Sequence, residues 1–404
     1  MKQALNNLIT IFKIIIGLPI YWLSKLFPKD KKLSVIGSSL GRHFADNSKY
    51  FFIKHYDSEI ARQEKNLVWI SKDSEVVSRL NELGLPAKNL YSLSGIYTVL
   101  RASKAYLSHQ LSDINGALLG GAKIIQLWHA MALRKIGYGG DWTDNNFSGK
   151  VKVFISKWFP YSYYMKCDVL YAPCQIAKEN SIEAFSKSFR NNKVQENIVL
   201  ARQARTICFD EGFELSTSFF PEIKELKFLD NKYDKIIAWL PTHRTIFNKS
   251  ILDIISDSKL DLIQLSNYCK SKNVLFVIKA HFLDFDLISQ IVKNLDNLYV
   301  YPHPDPYPLL KFTDILVTDY SSVFFDFLML DKPIVFMAHD FEEYSNKLGF
   351  YFDYKQLDLG PICYSWPDTL KIIAKIIEEN DDYGKKRKQQ LSKFNFVKNL
   401  TNNN

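Results

Sequence analysis

The stretch Asp314-Ile-Leu-Val-Thr-Asp-Tyr-Ser-Ser-Val-Phe-Phe-Asp-Phe327 settles the fold class. Ile315–Thr318 reads as a strand, Thr318–Ser322 as a polar turn, and Val323–Leu330 as a helix. A short apolar run without polar alternation fits a strand buried on both faces, which requires a parallel sheet covered by helices. The same alternation continues on either side. Lys235–Leu240 (KIIAWL), Val274–Lys279 (VLFVIK), Leu298–Tyr301 and Ile334–Phe336 read as strands, with a helix over Leu252–Lys270. In the first half Leu33–Gly37, Leu67–Ser71, Asn89–Ser92, Ala105–Ser108 and Lys123–Leu127 read as strands. Helices over Asn47–Tyr56, Ser74–Leu83 and Ile96–Ala102 separate them. Strands joined by helices of this length mean right-handed βαβ units. The expected architecture is α/β, with two Rossmann-like, doubly wound domains facing each other across a cleft. Polar Glu211–Tyr233, carrying Pro221, divides them into 33–215 and 216–385, followed by a basic, polar tail over 386–404.

Composition excludes several classes. Of 404 residues, 47% are hydrophobic and 24% charged, which is globular rather than disordered. The 52 Lys and Arg against 43 Asp and Glu leave +9, a surplus that favours anionic partners without choosing among phosphates, acidic lipid and nucleic acid. Five scattered cysteines, with no C-x-x-C pair and no histidine at metal-ligand spacing, argue against a disulfide scaffold and a structural zinc site.

Residues 8–27 form the most apolar stretch of the chain. A spanning helix needs about 20 apolar residues, but Lys13 and Pro19 interrupt this run. Lys25, Lys29, Lys31 and Lys32 crowd its far end, and no signal-peptidase site follows. Residues 1–32 are expected to be an amphipathic, membrane-interface segment, with Tyr21 and Trp22 at headgroup depth and Lys2, Lys13 and the later lysines on anionic phosphates. The alternatives are a helix docked on the protein itself and a membrane span.

Polar residues cluster just beyond the expected strands, where ligands of open α/β sheets bind. Trp128-His129 follows KIIQL, and Pro241-Thr242-His243-Arg244 follows KIIAWL. Lys279-Ala-His281 ends VLFVIK, and Thr318–Ser322 opens a helix that Thr318 or Asp319 can cap. Hydroxyls of Ser321 and Ser322 with the first free N–H groups of that helix would seat a phosphate, and Asp326, one turn on, would meet a sugar or polyol hydroxyl. An imidazole such as His129 can take a proton from an attacking hydroxyl, and a second, His281, can stabilise charge leaving on phosphate. Arg205 and Arg244 are candidate diphosphate ligands. The chain contains no dinucleotide-binding glycine fingerprint, P-loop or nucleophile elbow, and no paired carboxylates marking a metal site.

Together these residues resemble the CDP-glycerol glycerophosphotransferase family of teichoic acid and capsule synthesis. The resemblance runs from about Leu33 to Leu370. It rests on 314–327 with Asp331-Lys-Pro-Ile-Val-Phe336, on Gln126-Leu-Trp-His-Ala130 with Leu133-Arg-Lys-Ile-Gly137, and on Gly37-Ser39 with Asp46-Asn-Ser-Lys-Tyr50. Leu111–Asn115, Pro241-Thr242 and Lys279-Ala-His281 match in order. It implies a GT-B fold, with the acceptor on the N-terminal domain and a CDP-linked donor on the C-terminal one. His129 is then the base, with His281 assisting the donor phosphates. Donor contacts fall on Trp128, Arg205, Pro241, Thr242, Arg244, Lys279, Thr318, Ser321, Ser322 and Asp326, and acceptor contacts on Asn47, Ser48 and Lys49. The chain departs from the family at Ala130, Met131 and Ala132, where members read Gly-Thr-Pro after Trp-His, and at His243, where members carry an aromatic.

The resulting expectation is transfer of glycerol phosphate, or a related polyol phosphate, from a CDP-linked donor to a hydroxyl of a lipid-linked saccharide or polymer, releasing CMP. It places the enzyme peripherally on the cytoplasmic face of the cell membrane, with no cofactor, metal or nucleic acid. Two readings compete: a GT-B glycosyltransferase using a nucleotide sugar, and a non-catalytic basic protein binding membrane or nucleic acid.

Overall fold

The computed structural model describes residues 2–57, 66–140, 150–151, 154–155, 158–162, 166–189, 193–216, 218–378 and 381–400, with the side chains of 2–11 and 13 outside the description. It divides into two compact units. Unit 1 comprises Met1–His129, Ile136–Arg205 and Phe396–Asn404; unit 2 comprises Ala130–Lys135 and Thr206–Asn395. The change of unit thus comes at Arg205/Thr206, upstream of the division expected from composition. The polar stretch misled because it holds the helix Ile223–Lys232, whose Ile223 and Leu226 are buried while its polar residues face solvent. The expected tail is also split. Helix Gly384–Phe394 belongs to unit 2, whereas the chain from Phe396 returns to unit 1, where Val397 N–H donates to Pro173 and Arg202 N–H to Asn399. Residues 401–404 lie outside the described residues.

Unit 1 is built on β1 (Asp30–Gly37), β2 (Leu67–Ser71), β3 (Ala87–Asn89), β4 (Ala102–Leu107), β5 (Lys123–Gln126), β6 (Val169–Ala172) and β7 (Ile198–Leu200), in the order β3-β2-β1-β4-β5-β6-β7. Unit 2 is built on β8 (Lys235–Leu240), β9 (Val274–Ile278), β10 (Leu298–Val300), β11 (Ile315–Thr318), β12 (Ile334–Met337) and β13 (Ile362–Cys363), in the order β10-β9-β8-β11-β12-β13. Every pairing is parallel. Strand order reverses between β1 and β4 in one sheet and between β8 and β11 in the other. Those are the switch points where crossovers leave on opposite faces and open a crevice at the strands' carboxyl ends.

Both cores follow from the apolar runs. All five residues of β2 and of β9 are buried. In unit 2 Trp239 meets Trp366 edge-on (5.1 Å, 86°), with Phe276 against the latter at 5.6 Å. Burying a large side chain of this kind contributes about 1.5–3 kcal/mol. All five cysteines are buried, and none is in a disulfide.

The helix Lys2–Leu26 docks one edge on unit 1. Gly17, Tyr21 and Ser24, spaced at four and three residues, are buried. The Ser24 hydroxyl lies 2.8 Å from the Tyr21 carbonyl and 2.9 Å from that of Ala117, and accepts the Gly120 N–H at 3.0 Å. Gly120 is required there, since a Cβ would lie 2.5 Å from the Tyr21 carbonyl oxygen. The Tyr161 hydroxyl donates to the Ile14 carbonyl. The rest of the helix surface exposes Phe12, Ile15, Ile16, Ile20, Trp22, Leu23 and Leu26. Among the described residues no helix is long and apolar enough to cross a membrane. Of the lysines expected to meet headgroups, Lys25, Lys31 and Lys32 are exposed, while Lys2 and Lys13 fall outside the described side chains. Lys29 instead donates to the Leu100 carbonyl at 2.7 Å, and burial pushes its ammonium down to about 8.

Candidate active site

In unit 1 the chemistry-bearing side chains gather beyond β1, β4 and β5. The His129 ring lies flat on that of His109 (centroids 4.5 Å, 16°), with the Trp128 ring at 4.2 Å. Nδ1 of His129 is 3.1 Å from the Ser108 carbonyl. A carbonyl only accepts, so Nδ1 carries the proton and Nε2 keeps its lone pair. Burial first, then repulsion from His109, push this imidazole down to about 3, although Asp46 pulls the other way. At neutral pH it is an uncharged base.

Asp46 anchors the cluster. Its Oδ2 is 3.3 Å from His109 Nε2, and its Oδ1 accepts from Arg205 Nη1 at 2.9 Å; Nη1 also donates to the His129 carbonyl at 2.6 Å. Burial works to raise the Asp46 carboxyl, but Arg205, His109 and His129 outweigh it and hold the group below its ordinary range. Asp46 and Trp128 have φ of 60° and 57°, the left-handed region that side chains avoid. Hydrogen bonds hold them there. Asn47 Nδ2 donates to the Trp128 carbonyl (2.5 Å) and to Gln203 Oε1 (2.6 Å), and the Arg205 N–H donates to Asn47 Oδ1. Ser48 spans the switch point: its hydroxyl donates to the Gly37 carbonyl, and its N–H donates to the Ser108 hydroxyl.

In unit 2 the loops after β9, β8 and β11 are neighbours along the sheet edge. Thr242 N–H donates to Asp319 Oδ1 at 2.9 Å, tying the loops across the switch point. The Thr242 hydroxyl is buried with no hydrogen-bond partner among the described residues. Unsatisfied buried hydroxyls are rare and call for an explanation such as a ligand. His243 and His281 stack at 4.2 Å and 22°, and His243 Nε2 is 3.3 Å from Asp284 Oδ2. Lys279, half-buried beside His281, is pushed down to about 8 by burial against the pull of Asp305. Ser321 and Ser322 are half-exposed, and the Ser321 Oγ accepts the Val323 N–H at 3.4 Å.

The structure reassigns several residues expected to touch ligand. Arg244 is fully enclosed. Its Nε and Nη2 donate to Asp340 and Nη2 to Asp319 at 2.8–3.1 Å, between the rings of Tyr320 and Tyr344 at 4.9 and 5.0 Å. Its charge is taken up by two carboxylates, so it is a clamp between loops and not a phosphate ligand. Arg205 is likewise buried on Asp46. Thr318 is buried with its hydroxyl donated to the Leu240 carbonyl, and Asp319 serves Arg244 and Thr242; neither caps the following helix. That helix is shorter than expected, Val323–Phe327, with a 3-10 turn over Leu328–Leu330. Asp326 is buried and accepts the Tyr307 hydroxyl. Asn47, Ser48 and Lys49 are all buried, with Lys49 over the Phe44 and Tyr50 rings. They back the site, with Asn47 and Ser48 hydrogen-bonded to Trp128, Gln203 and Gly37.

Trp128, His129, Pro241, Thr242, Lys279, Ser321 and Ser322 remain partly open, and His281 is exposed. Sequence reasoning passed over His109, Asp46, Asp284 and Asp340. His109 and Asp340 could have been found by the rule that found His129, since each stands directly after a strand. No group of three or more His, Cys, Asp and Glu among the described residues forms a metal-holding cluster.

Comparison with known proteins agrees with this fold. The chain is 26% identical over 365 residues to the teichoic acid poly(glycerol phosphate) polymerase of Bacillus spizizenii W23, covering 87% of this chain and 84% of that one. It is 24% identical over 370 residues to the polymerase of the same description from Bacillus subtilis 168, where the match spans 88% of this chain but 45% of the relative. Its fold is similar to a crystal structure of the wall teichoic acid polymerase TagF (TM-score 0.69, 20% identity, covering 97% of this chain and 92% of the other). The profile of one enzyme family matches residues 20–403. With two parallel α/β sheets that carry histidines at their carboxyl ends, the chain belongs to the CDP-glycerol:poly(glycerophosphate) glycerophosphotransferase family, transferases of teichoic acid synthesis.

Proposed function

We propose that this enzyme transfers a polyol phosphate, glycerol phosphate first, from a CDP-linked donor to a hydroxyl of a lipid-linked saccharide or polymer. The observation that carries the reading is His129: a neutral imidazole with Nδ1–H committed to the Ser108 carbonyl and Nε2 unprotonated. In this reading Nε2 takes the proton of the acceptor hydroxyl as its oxygen attacks the phosphorus that bears glycerol. The bond from that phosphorus to the bridging oxygen breaks, and the electron pair leaves on the phosphate of CMP. Unit 2 holds the donor. The Thr242 hydroxyl, without a partner among the described residues, donates to a phosphate oxygen. Lys279, at about 8, regains full charge beside an anion, and His281 with Ser321 and Ser322 completes the seat. An uncharged base beside a buried carboxylate suits proton abstraction better than phosphate binding, which supports giving the acceptor to unit 1.

The helix Lys2–Leu26 supports attachment to the cytoplasmic membrane face. Its exposed apolar side chains are accompanied by Lys25, whose Nζ lies 5.1 Å from the Trp22 ring centroid. Aromatic and lysine side chains in this arrangement suit the lipid headgroup layer.

The test incubates the full-length protein with CDP-glycerol, CDP-ribitol and a set of nucleotide sugars, together with membrane extract. CMP release with extension of a lipid product is expected from a CDP-polyol. Release of a nucleoside diphosphate from a nucleotide sugar instead would replace the reading with glycosyl transfer. Flotation with anionic vesicles tests the helix. Failure of the full chain to float, at low salt and with the helix intact, would remove the membrane assignment.

A further inference from the structure

His281 meets the solvent with little of its own to hold it. Its Nδ1 accepts the Leu283 N–H at 3.4 Å, so the proton of the neutral ring sits on Nε2, the nitrogen available to an anion. Its ring contacts are the Phe282 ring at 4.3 Å and, more nearly parallel, the His243 ring at 4.2 Å. His243 is well fastened. Its Nε2 is 3.3 Å from Asp284 Oδ2, its Nδ1 is hydrogen-bonded to the Thr245 hydroxyl, and buried Asp284 accepts the Ile251 N–H through its other oxygen at 3.3 Å. A rigid line therefore runs from Ile251 through Asp284 and His243 to the exposed ring.

We propose that His243 is a positioning residue of the donor seat: its imidazole is the plate on which His281 lies, held in place through Asp284. The proposal rests on the reading of unit 2 as the donor-binding unit. Stacked against it, His243 disfavours a positive charge on the His281 ring. The charged groups facing the pair are Asp284, Lys279 and, behind Lys279, Asp305; Arg244, next in the chain, is turned to Asp319 and Asp340. Burial, His243 and Lys279 lower the His281 imidazole, and Asp284 opposes them. Because Asp284 fastens His243 directly, it keeps the plate in place. An arriving diphosphate then meets the Nε2–H of the exposed His281 ring.

The experiment uses the full-length protein, its His243→Phe variant, which keeps a flat ring but loses the ring nitrogens and the tie to Asp284, and His243→Ala. His281 is titrated by the NMR signal of its ring protons, assigned with His281→Gln. His243→Phe removes the group that lowers the His281 imidazole and releases Asp284, which raises it, so the His281 midpoint should rise by about half a unit or more, about threefold in proton affinity. Calorimetry with CDP should show the pH dependence of binding moving up with it. His243→Ala should weaken CDP binding about tenfold, with His243→Phe weakening it less. Coincident His281 titrations in wild type and His243→Phe overturn the proposal, as does equal CDP affinity in all three proteins. If wild type binds no CDP while the titration still shifts, the donor reading of unit 2 fails and the coupling of the two histidines stands.

Discussion

Arg244→Met is the sharpest test of how unit 2 is held together. Methionine is long enough to occupy the slot between Tyr320 and Tyr344, but it leaves Asp319 and Asp340 buried without the guanidinium that now bonds both. Removing one partner of a buried pair costs about 3–5 kcal/mol, because the remaining charge is uncompensated. Against a total stability of about 5–15 kcal/mol this is a large fraction. With a urea dependence of about 1–3 kcal/mol per molar, the unfolding midpoint should fall by about 1–5 M at pH 7, followed by tryptophan fluorescence. The pH dependence supplies a second check. In the wild type, burial works to raise the Asp340 carboxyl, but Arg244 outweighs it and holds the group below its ordinary value. That stabilisation is present above about pH 4, the unfolded value, and is lost as pH falls through the lower folded one. In the variant burial acts without Arg244, so the folded value rises above the unfolded one. The resulting penalty is full at neutral pH and fades as pH approaches 4. The loss caused by the mutation must therefore be greater at pH 7 than at pH 4.5, by about 1.4 kcal/mol for each unit by which the variant's folded value lies above 4.5. A midpoint shift below about 0.5 M at pH 7, or an equal shift at both pH values, would refute the clamp.

Replacing His129 with Ala should lower transfer about 100- to 10,000-fold while CDP-glycerol affinity, measured by calorimetry, stays within about twofold. Replacing Ser321 and Ser322 together with Ala should weaken CDP-glycerol binding about tenfold or more, at about 1 kcal/mol per lost hydrogen bond; unchanged affinity would remove them from the donor seat. Gly120→Ala brings a methyl group to 2.3 Å from Ser24 Oγ, so the helix Lys2–Leu26 should lift from unit 1 and become accessible to limited proteolysis, with the sheets left intact by circular dichroism.

How much was legible depended on how local each feature is. The strands with four or more consecutive buried apolar residues, such as KIIAWL and VLFVIK, announce themselves by composition. By contrast β6, β7 and β13, none with two consecutive buried residues, went unread. The helix expected over Leu252–Lys270 is two, Ile251–Asp257 and Leu262–Ser271, broken where Lys259 turns to φ 61° and Asp261 caps the second. Asp261 before Leu262 was the available signal. In the site, His129 and His281 were legible because each stands just past a strand. The role of Arg244 was not, since its two carboxylates lie 75 and 96 residues away in sequence. Asn47 and Ser48 carry the family's pattern, yet their work is to hold Trp128, Gln203 and Gly37. A motif marks which residues matter and leaves open whether they face the substrate or the scaffold.

The return of the chain to unit 1 after Asn395 has a consequence for biosynthesis. The seven strands of the first sheet are synthesised before any part of the second, yet Pro173 and Arg202 receive their backbone partners, Val397 and Asn399, only after the whole of unit 2 has been made. Arg202 lies three residues before Arg205, the side chain that holds Asp46 beside the histidines. On the ribosome, where domains generally fold as they emerge, unit 1 assembles early but has its last backbone bonds closed from behind. A nascent protein stalled within unit 2 would carry a formed first sheet whose histidine-bearing corner is still missing its final strap.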